Sequence, residues 1–359
     1  MPSRLRSLSG GQYVNRRIAE ALRGEYELDQ INIKDFLERF SVNKFALAVM
    51  EFFFIPLISI YSSVVASRYD VVFSEWTPLS PMFGNLVYFQ PFAGASSKLG
   101  LFYNPNLSSR SSKLAFARVR TALLWPLRVA SLSRMRILCN STYTAGLLRK
   151  ELGREARVVY PPVDSEWRSP RPKEDLILTI SRVAVEKNLQ LLSRVGPSLS
   201  PFRFILIGKV YSEDGERILH GIKASFDERG FADLFEYLGF VEGQAKRDLL
   251  QRAKVLLNPA VNEPFGLSIV EGMGSGCIPV VHDSGGPRET VPSEWRFKTD
   301  EEAVEVLKRA VNSWNPTIAN EMVRLSRKFS SAEFERNIIR EAQLVSKAQH
   351  RETRSIDST

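Results

Sequence analysis

The chain has 359 residues, of which 44% are hydrophobic and 25% charged, an average globular composition at a length that suits two domains. Its only cysteines, Cys139 and Cys277, belong to no CxxC or Cys/His cluster, which argues against a disulfide scaffold or structural zinc site and indicates a reducing compartment. The net charge of +9 is uneven, because the stretch 76–150 contains ten lysines and arginines and no acidic residue. A nucleic acid, an anionic membrane surface or a phosphorylated substrate could each be the partner of this basic stretch.

The first elements along the chain are a glycine loop and a helix. Gly10 and Gly11 precede a helical pattern at 12–22, and strands are predicted at residues 26–33, 70–76, 85–89, 136–140 and 157–160. A loop of this kind normally follows a first β-strand, whereas residues 1–9 are basic, form a poor strand and do not resemble a signal peptide. Either the first strand is degenerate or the true start lies upstream of Met1.

Residues 45–66 are strongly apolar and long enough to be a transmembrane candidate. The segment carries Glu51 and Pro56, and a spanning helix would place two strands of one domain on opposite sides of a bilayer. A buried helix is therefore the main interpretation. A helix that touches a membrane surface is the second, and a spanning helix is the third.

The second half alternates strands and helices more regularly. Strands are predicted at residues 176–181, 202–208, 235–241, 254–259 and 277–282, and helices at 188–195, 215–229, 243–253 and 267–274. Near-continuous apolar strands that alternate with helices predict a parallel sheet covered on both faces. Such a Rossmann-like domain binds its ligands at the carboxyl ends of the strands.

The predicted domain boundary is the proline pair Pro161-Pro162, which forbids helix and stiffens a linker. It divides the chain into an N-terminal Rossmann-like domain at 1–162 and a C-terminal Rossmann-like domain at 163–330. Helical patterns continue to about residue 350, and the helix at about 331–350 is expected to pack back onto the first domain. Residues 351–359 are expected to form a flexible tail.

The most informative stretch is 262–281, in which Glu263 directly follows a strand and Glu271 lies eight residues further, inside the next helix. The loop at Gly266 and Leu267 forms a helix N-terminus, whose free N–H groups and dipole favour a phosphate. Gly266 also allows the backbone to approach a ligand closely. Because Glu271 can accept hydrogen bonds from a ribose diol and Glu263 from sugar hydroxyls, the stretch predicts a nucleotide-sugar site.

A cationic group must hold the diphosphate of such a ligand, and two candidates follow the first strand of the second domain. Arg182 and Lys187 flank the start of a helix at the carboxyl end of that strand. An arginine binds phosphate in a bidentate manner, and a lysine adds a point charge. An isolated pair of this kind is more often a solvated surface feature, but its place at the strand end favours phosphate binding.

These motifs resemble those of glycosyltransferase family 4, and the similarity covers roughly residues 10–345. Glu263 to Glu271 resembles the family's Glu-x7-Glu motif, and Ser181-Arg182 to Lys187 resembles its Gly-Arg-x4-Lys phosphate motif. Residues 281–287 resemble the family's next loop. The Tyr-Pro-Pro-Val-Asp linker at 160–164 is similar to the inter-domain signature, especially that of mannosyltransferases that extend dolichol-linked oligosaccharides. The resemblance implies an α/β protein of the GT-B fold, with two Rossmann-like domains facing each other across a cleft.

The resemblance also implies a role for each matched residue. Arg182 and Lys187 would neutralise the diphosphate, Glu263 would orient the donor sugar, and Glu271 would bind the ribose. The other donor-binding residues that it implies are Phe265, Gly266 and Leu267 along the phosphates and sugar, Phe240 and Val241 at the base, and Gly10 and Gly11 from the opposite domain. Family members are usually metal-independent, which implies neither a metal site nor a cofactor.

The chain departs from the family after the strand at 85–89, where many relatives carry a histidine and this chain has Gln90. Gln90 can hydrogen-bond to the donor sugar but cannot act as a base, and a loop-capping role for its amide is equally compatible. The three histidines are His220, His282 and His350, and His282 is expected to be structural although it lies near the cleft. At this position the chain therefore lacks the histidine that a histidine-dependent proton step would use.

The function that the resemblance implies is retaining transfer of a sugar, with GDP-mannose as the favoured donor, to a lipid-linked or other glycan acceptor. Residues 111–136 form a predicted helical region of leucines, a tryptophan and cations, which favours peripheral binding to an anionic membrane, on its cytoplasmic face. The alternatives are a soluble-acceptor enzyme that uses a UDP-sugar, a same-fold epimerase or phosphorylase and, remotely, a nucleic-acid-binding protein. A nucleic-acid partner is not expected, because it would leave Glu263 and Glu271 unexplained.

Overall fold

The computed structural model describes residues 10–29, 68–75, 84–91, 132–133, 135–163 and 173–356, and two parallel β-sheets organise this part of the chain. The predicted apolar segment 45–66 and most of the predicted helical region 111–136 lie outside the described residues. Among the residues that are described, no helix is both long enough and apolar enough to cross a bilayer.

Within the described ranges, the first sheet has four parallel strands in the order β1-β2-β3-β4. They are β1 (Phe73–Glu75), β2 (Leu86–Phe89), β3 (Arg136–Cys139) and β4 (Arg157–Val158). Alternate residues of β2 face opposite sides. Leu86 and Tyr88 join one buried apolar cluster, here called the first cluster, and Val87 and Phe89 join another, the second cluster. Because both faces are buried, both must be covered by other elements.

Helices cover these two faces. α1 (Gly10–Arg23) contributes Val14 to the first cluster, and α2 (Thr142–Leu152) contributes Leu148 to the second. α2 begins after Ser141, whose hydroxyl accepts a hydrogen bond from a backbone N–H of the first turn. The first half is therefore a layered α/β unit, as the sequence predicts.

The second sheet has six described strands, all parallel, in the order β10-β9-β8-β5-β6-β7. Their bounds are β5 (Glu174–Ile180), β6 (Arg203–Ile207), β7 (Phe235–Tyr237), β8 (Ala253–Asn258), β9 (Ile278–His282) and β10 (Arg296–Phe297). Numbered within this half from the β7 edge, the order is 3-2-1-4-5-6, the Rossmann arrangement. The order reverses between β5 and β8, and the crevice beyond their carboxyl ends is where such sheets bind ligands.

Helices connect these strands and share one apolar core with them. They are α3 (Gln190–Val195), α4 (Glu213–Asp227), α5 (Gly243–Arg252), α6 (Leu267–Gly274), α7 (Pro287–Thr290), α8 (Asp300–Ser313) and α9 (Pro316–Ser326). Side chains set several of the helix starts. Ser212, Thr299 and Asn315 each accept a backbone N–H from the first turn of α4, α8 and α9, respectively.

The last helix, α10 (Ser331–Ile356), leaves the second sheet and packs on the first. Phe334 belongs to the first cluster, and its ring meets the ring of Tyr88 edge-on with a centroid distance of 6.1 Å. Arg17 of α1 pairs with Glu335 at 2.8 Å. The helix extends into the predicted tail 351–359, since its last residue is Ile356. The domain limits at residues 162 and 330 stay a prediction.

The structure corrects two predictions about individual elements and adds one strand that the sequence does not predict. Gly10 and Gly11 are the first residues of α1 rather than a loop before it. Residues 26–29, the described part of the predicted strand 26–33, form no strand, although Tyr26 and Leu28 pack against the first cluster. β10 has no counterpart among the predicted strands, because two residues are too few to show a period.

Candidate functional site

The centre of the site is an ion pair at the point where the second sheet reverses its strand order. Lys187 follows β5 and Glu263 follows β8, and the Lys187 ammonium lies 2.6 Å from a Glu263 carboxylate oxygen. Both side chains are largely buried, with exposed fractions of 17% and 11%. Because the carboxyl ends of parallel strands meet at one edge, two residues that are distant in sequence meet here in the ligand crevice.

A short turn positions Lys187. Residues Val185–Lys187 form one 3₁₀ turn, and Asn188 ends it in the left-handed region with φ of 50°. The Asn188 side-chain amide donates a hydrogen bond to the Pro259 carbonyl at 3.1 Å. This bond ties the loop after β5 to the loop after β8, and it therefore holds the two members of the pair in reach of each other.

Arg182 lies at the same strand end but has a different partner. Its guanidinium donates to a Glu186 carboxylate oxygen at 3.1 Å, and Glu186 is buried while Arg182 is half-exposed. A guanidinium has five N–H donors in a fixed fork, so this contact leaves donors that can reach a phosphate. The structure thus brings Lys187 and Glu263 together, whereas Arg182, after the same strand, pairs with Glu186.

The loop after β9 is hydrogen-bonded to the Glu263 loop and supports it. The Gly286 N–H donates to the Glu263 carbonyl at 2.8 Å, and the Asn262 N–H donates to the Ser284 hydroxyl at 2.7 Å. A side chain at Gly286 would not fit, because its Cβ would lie 2.1 Å from the Pro264 carbonyl oxygen. The predicted family loop at 281–287 therefore acts through backbone packing that fixes Glu263.

The N-terminus of α6 faces the same crevice. Gly266 precedes the helix with φ of 88°, a left-handed conformation that a residue with a side chain adopts only with strain. Within the described residues, no side chain caps this end of α6. Its first N–H groups and the helix dipole are therefore available to an anionic ligand, and the phosphate-binding role of this loop stays a prediction.

Glu271 lies within α6, four residues after its first residue Leu267, and has a lysine partner that the sequence motifs do not include. The Lys246 ammonium, from α5, lies 2.6 Å from a Glu271 carboxylate oxygen. The exposed fractions of the two side chains are 20% and 19%, so this pair is nearly as buried as the Lys187–Glu263 pair. No spacing in the sequence connects Lys246 to Glu271, because they belong to different helices.

The predicted base-binding residues lie after β7. The ring of Phe240 is 45% exposed, and the Lys209 ammonium lies over it at 4.0 Å from the ring centroid. Val241 is half-buried against the core of the second half. An exposed aromatic ring beside this edge of the sheet offers a flat surface on which a base could stack.

Phe265 and Leu267, predicted to lie along the donor, have side chains that pack against apolar clusters. The Phe265 side chain is buried in a cluster, with ring centroids 5.4 Å from Phe329 and 6.0 Å from Tyr160. Leu267 packs against this cluster and against the first cluster. The Phe265 ring therefore anchors the loop between the two halves, and only its backbone can lie along a donor.

Two side chains near the cleft have mainly local partners. The Gln90 amide lies 3.5 Å from the Asn15 side-chain oxygen of α1, at the limit of a hydrogen bond. His282 lies 2.8 Å from the Ser284 hydroxyl, and burial lowers the pKa of its imidazole. His282 therefore stabilises the loop that supports Glu263, in agreement with the structural role expected for it.

Glu289 links the two halves of the molecule, and sequence reasoning did not single it out. Its carboxylate accepts the backbone N–H of Thr142 at 2.9 Å, at the N-terminus of α2, and the Tyr160 hydroxyl at 2.8 Å. Burial and this hydrogen bond raise the pKa of Tyr160 to about 12. Glu289 follows the Gly286 loop closely, so the support beneath Glu263 is also joined to the first half.

The described residues contain no group of three or more His, Cys, Asp or Glu side chains arranged to hold a metal ion. The predicted absence of a metal and of a cofactor stays a prediction.

Comparison with known proteins gives a family match for the half of the chain that contains this site. Residues 164–325 match the family model described as glycosyl transferases group 1. One curated relative is the GDP-Man:Man(3)GlcNAc(2)-PP-Dol alpha-1,2-mannosyltransferase of Dictyostelium discoideum, 28% identical over 185 residues, which are 45% of this chain and 36% of the relative. The chain thus matches about a third of that relative's length, and it resembles the dolichol-linked-oligosaccharide mannosyltransferases over that part.

Solved structures show the fold of both halves. HepE from Anabaena in complex with UDP and glucose has a TM-score of 0.62 and 16% identity, covering 93% of this chain and 96% of that one. Sucrose-phosphate synthase from Thermosynechococcus elongatus has a TM-score of 0.65 and 15% identity, covering 86% and 81%. The chain has the GT-B fold, with two Rossmann-like domains, as predicted.

Proposed function

We propose that this chain is a glycosyltransferase that moves a sugar from a nucleoside diphosphate to an acceptor hydroxyl. The observation that carries the proposal is the Lys187–Glu263 pair at the switch point of a Rossmann sheet, with Glu271 eight residues further on α6. The family match over residues 164–325 supports it.

In the proposed reaction, the bond between the anomeric carbon and the diphosphate breaks, and a bond to the acceptor oxygen forms. Charge grows on the leaving phosphate, where Lys187, Arg182 and the N-terminus of α6 can stabilise it. Glu263 would hold the sugar hydroxyls, and the leaving phosphate would take the acceptor proton on the same face of the sugar. The reaction is proposed to retain the anomeric configuration and to need no metal ion.

GDP-mannose is the proposed donor, because the Dictyostelium relative is named for GDP-mannose and for a lipid-linked oligosaccharide. A UDP-sugar with a soluble acceptor is the second candidate, since a structure of the same fold carries UDP and glucose. Phe240 is 45% exposed, and an aromatic ring could stack with either base, so it does not favour one donor over the other.

A thermal-shift screen with GDP-mannose, UDP-glucose, UDP-N-acetylglucosamine and ADP-glucose tests the proposal. We expect GDP-mannose to raise the melting temperature most, and Lys187→Ala to reduce the shift. The matched control is Lys254→Ala, because Lys254 lies at the opposite end of β8, where it pairs with Asp175. If no nucleotide sugar shifts the wild-type chain, the proposed function is wrong.

We further propose that the enzyme binds peripherally to an anionic membrane, on its cytoplasmic face, and uses a lipid-linked acceptor. The support is the acid-free basic stretch 76–150 and the name of the relative. Two of the predicted membrane-binding residues have partners within the protein: Leu132 is buried in the second cluster, and Arg136 pairs with Glu341 of α10. Most of the other predicted membrane-binding residues, 111–131 and 134, lie outside the described residues.

Co-sedimentation with liposomes tests this location. We expect binding to anionic vesicles that fades in high salt and drops when Arg118, Arg120 and Arg128 are changed to Glu, since each cation adds roughly 1 kcal/mol. The control changes three exposed arginines outside the stretch, Arg217, Arg324 and Arg336, to Glu. Equal partition with neutral and anionic vesicles, or none with either, would favour a soluble acceptor.

A further inference from the structure

Each glutamate of the candidate site is paired with a lysine from another element. Glu263 follows β8 and meets Lys187, which follows β5, whereas Glu271 on α6 meets Lys246 on α5. Both pairs have the same 2.6 Å separation. The Lys187 partner belongs to a predicted phosphate motif, but no motif or proposed role accounts for Lys246.

The Lys246–Glu271 pair differs from the other lysine pairs at the surface. Exposed pairs are held loosely and contribute little, because water screens them. Here about four-fifths of both side chains is buried. A lysine contact at 2.6 Å in such surroundings restricts the carboxylate to one orientation, since leaving either charge unpaired would be costly.

The position of Glu271 shows which ligand group such a fixed carboxylate would meet. Glu271 lies on α6, whose uncapped N-terminus faces the phosphate end of the crevice, and α5 follows the loop that carries the exposed Phe240 ring. In a nucleotide that extends from the α6 N-terminus to Phe240, the ribose would lie next to Glu271. One carboxylate oxygen is taken by Lys246, and the other can accept from the ribose hydroxyls.

We propose that Lys246 is a positioning residue that fixes the Glu271 carboxylate for the ribose diol and so makes the site selective for ribonucleotides over 2′-deoxyribonucleotides. This inference rests on the proposed function, because it requires that a nucleoside diphosphate binds in the crevice. A free carboxylate could rotate to accept from the 3′ hydroxyl alone. A carboxylate held by Lys246 is oriented to accept hydrogen bonds from both the 2′ and the 3′ hydroxyl. A 2′-deoxyribonucleotide lacks one of these donors and leaves the carboxylate with an unmade hydrogen bond.

The experiment measures the dissociation constants of GDP, 2′-deoxy-GDP, UDP and 2′-deoxy-UDP by titration calorimetry. For the base that binds, wild type should prefer the ribonucleotide by about ten-fold to a hundred-fold, the expected cost of a lost hydrogen bond to a charged group. Lys246→Met should lower that preference to about three-fold or less. Lys246→Arg, which keeps the charge, should restore most of it.

A double-mutant comparison separates positioning from a general loss of affinity. Glu271→Gln should lose the same preference, and adding Lys246→Met to it should change the preference no further, because both changes act through one carboxylate. Lys254→Met is the matched control: this lysine is equally buried, at 20% exposed, and pairs with Asp175 at the amino end of β8. The preference of Lys254→Met for the ribonucleotide should equal that of wild type.

Two results would overturn the inference. One is a ribose preference in Lys246→Met that equals the wild-type value, and another is an equal loss of ribo- and deoxynucleotide affinity that leaves the ratio unchanged. If Lys246→Met fails to fold, Lys246→Gln replaces it as the uncharged variant, and its ribose preference is compared with that of Lys246→Arg. Absence of any nucleotide binding by wild type would instead refute the proposed function itself, so the two failures are distinguishable.

Discussion

The two lysine–glutamate pairs of the site are alike in length and burial but differ in what holds them. Glu263 sits in a loop whose backbone is bonded to a second loop, through the Gly286 N–H, and its partner Lys187 sits in a third. Glu271 and Lys246 sit on two helices, α6 and α5. The first pair is thus a junction of three loops, whereas the second is a contact between side chains on regular elements.

This difference separates the expected consequences of change at the two pairs. Loops position Glu263, so a change in any of them can move it. Helix packing positions Glu271, so only a change in the pair itself should matter. We expect the Lys187–Glu263 pair to control turnover and the Lys246–Glu271 pair to control nucleotide affinity, and four experiments test this comparison.

Removing a cation at the loop junction should have the largest effect. Lys187→Ala or Arg182→Ala should lower turnover by about 10²–10³-fold, the usual loss when one group that stabilises transition-state charge is removed. Steady-state kinetics with the donor found by the screen measure this, and circular dichroism checks folding. Lys254→Ala should remain close to wild type. Near-normal turnover in both cleft variants would place the diphosphate elsewhere.

Replacing each glutamate by glutamine compares the two pairs directly. Glu263→Gln should lower turnover with little change in nucleoside diphosphate affinity, because it addresses the sugar. Glu271→Gln should weaken nucleoside diphosphate binding by roughly ten-fold, since a neutral acceptor replaces a charged one. Turnover rates and calorimetric nucleotide affinities of both variants test these two roles. The opposite distribution of effects would mean that the two roles are reversed.

The support beneath Glu263 can be disturbed without touching any charge. Gly286→Ala forces a Cβ to within 2.1 Å of the Pro264 carbonyl oxygen, so the loop must shift, at a cost of about 1–3 kcal/mol in the free energy of unfolding. Turnover should fall while nucleotide affinity holds. Gly221→Ala, inside α4 with open space around it, is the control, and it should be neutral or slightly stabilising. Denaturant titration measures the free energy of unfolding of both variants.

The link between the two halves should give the smallest effect. Glu289→Gln weakens the bonds to the α2 N-terminus and to Tyr160, and we expect a loss of about 1 kcal/mol in the free energy of unfolding. Neither pair is touched, so nucleotide affinity should stay at the wild-type value. Glu321→Gln, an exposed residue of α9, is the control. A large fall in nucleotide affinity in Glu289→Gln would show that the link and the second pair are coupled.

The elements that carry the site follow from local sequence patterns. The predicted helix 267–274 coincides with α6, and the predicted strands at 176–181 and 254–259 match β5 and β8 to within two residues. These segments are predictable because apolar periodicity and glycine positions report on neighbouring residues. Because the strand and the following helix are predictable, the Glu-x7-Glu spacing also predicts that one glutamate follows the strand and the other lies inside the helix.

The sequence by itself therefore predicted the class of fold, the carboxyl ends of the strands as the ligand-binding edge of the second domain, and Arg182, Lys187, Glu263 and Glu271 as candidate site residues. Only the tertiary structure decided their partners. Lys246 lies on another helix from Glu271, Glu289 reaches across to α2, and the Phe265 ring turns into an apolar cluster. Such contacts join residues that are far apart in the chain, and they depend on how whole elements pack, which no local spacing records.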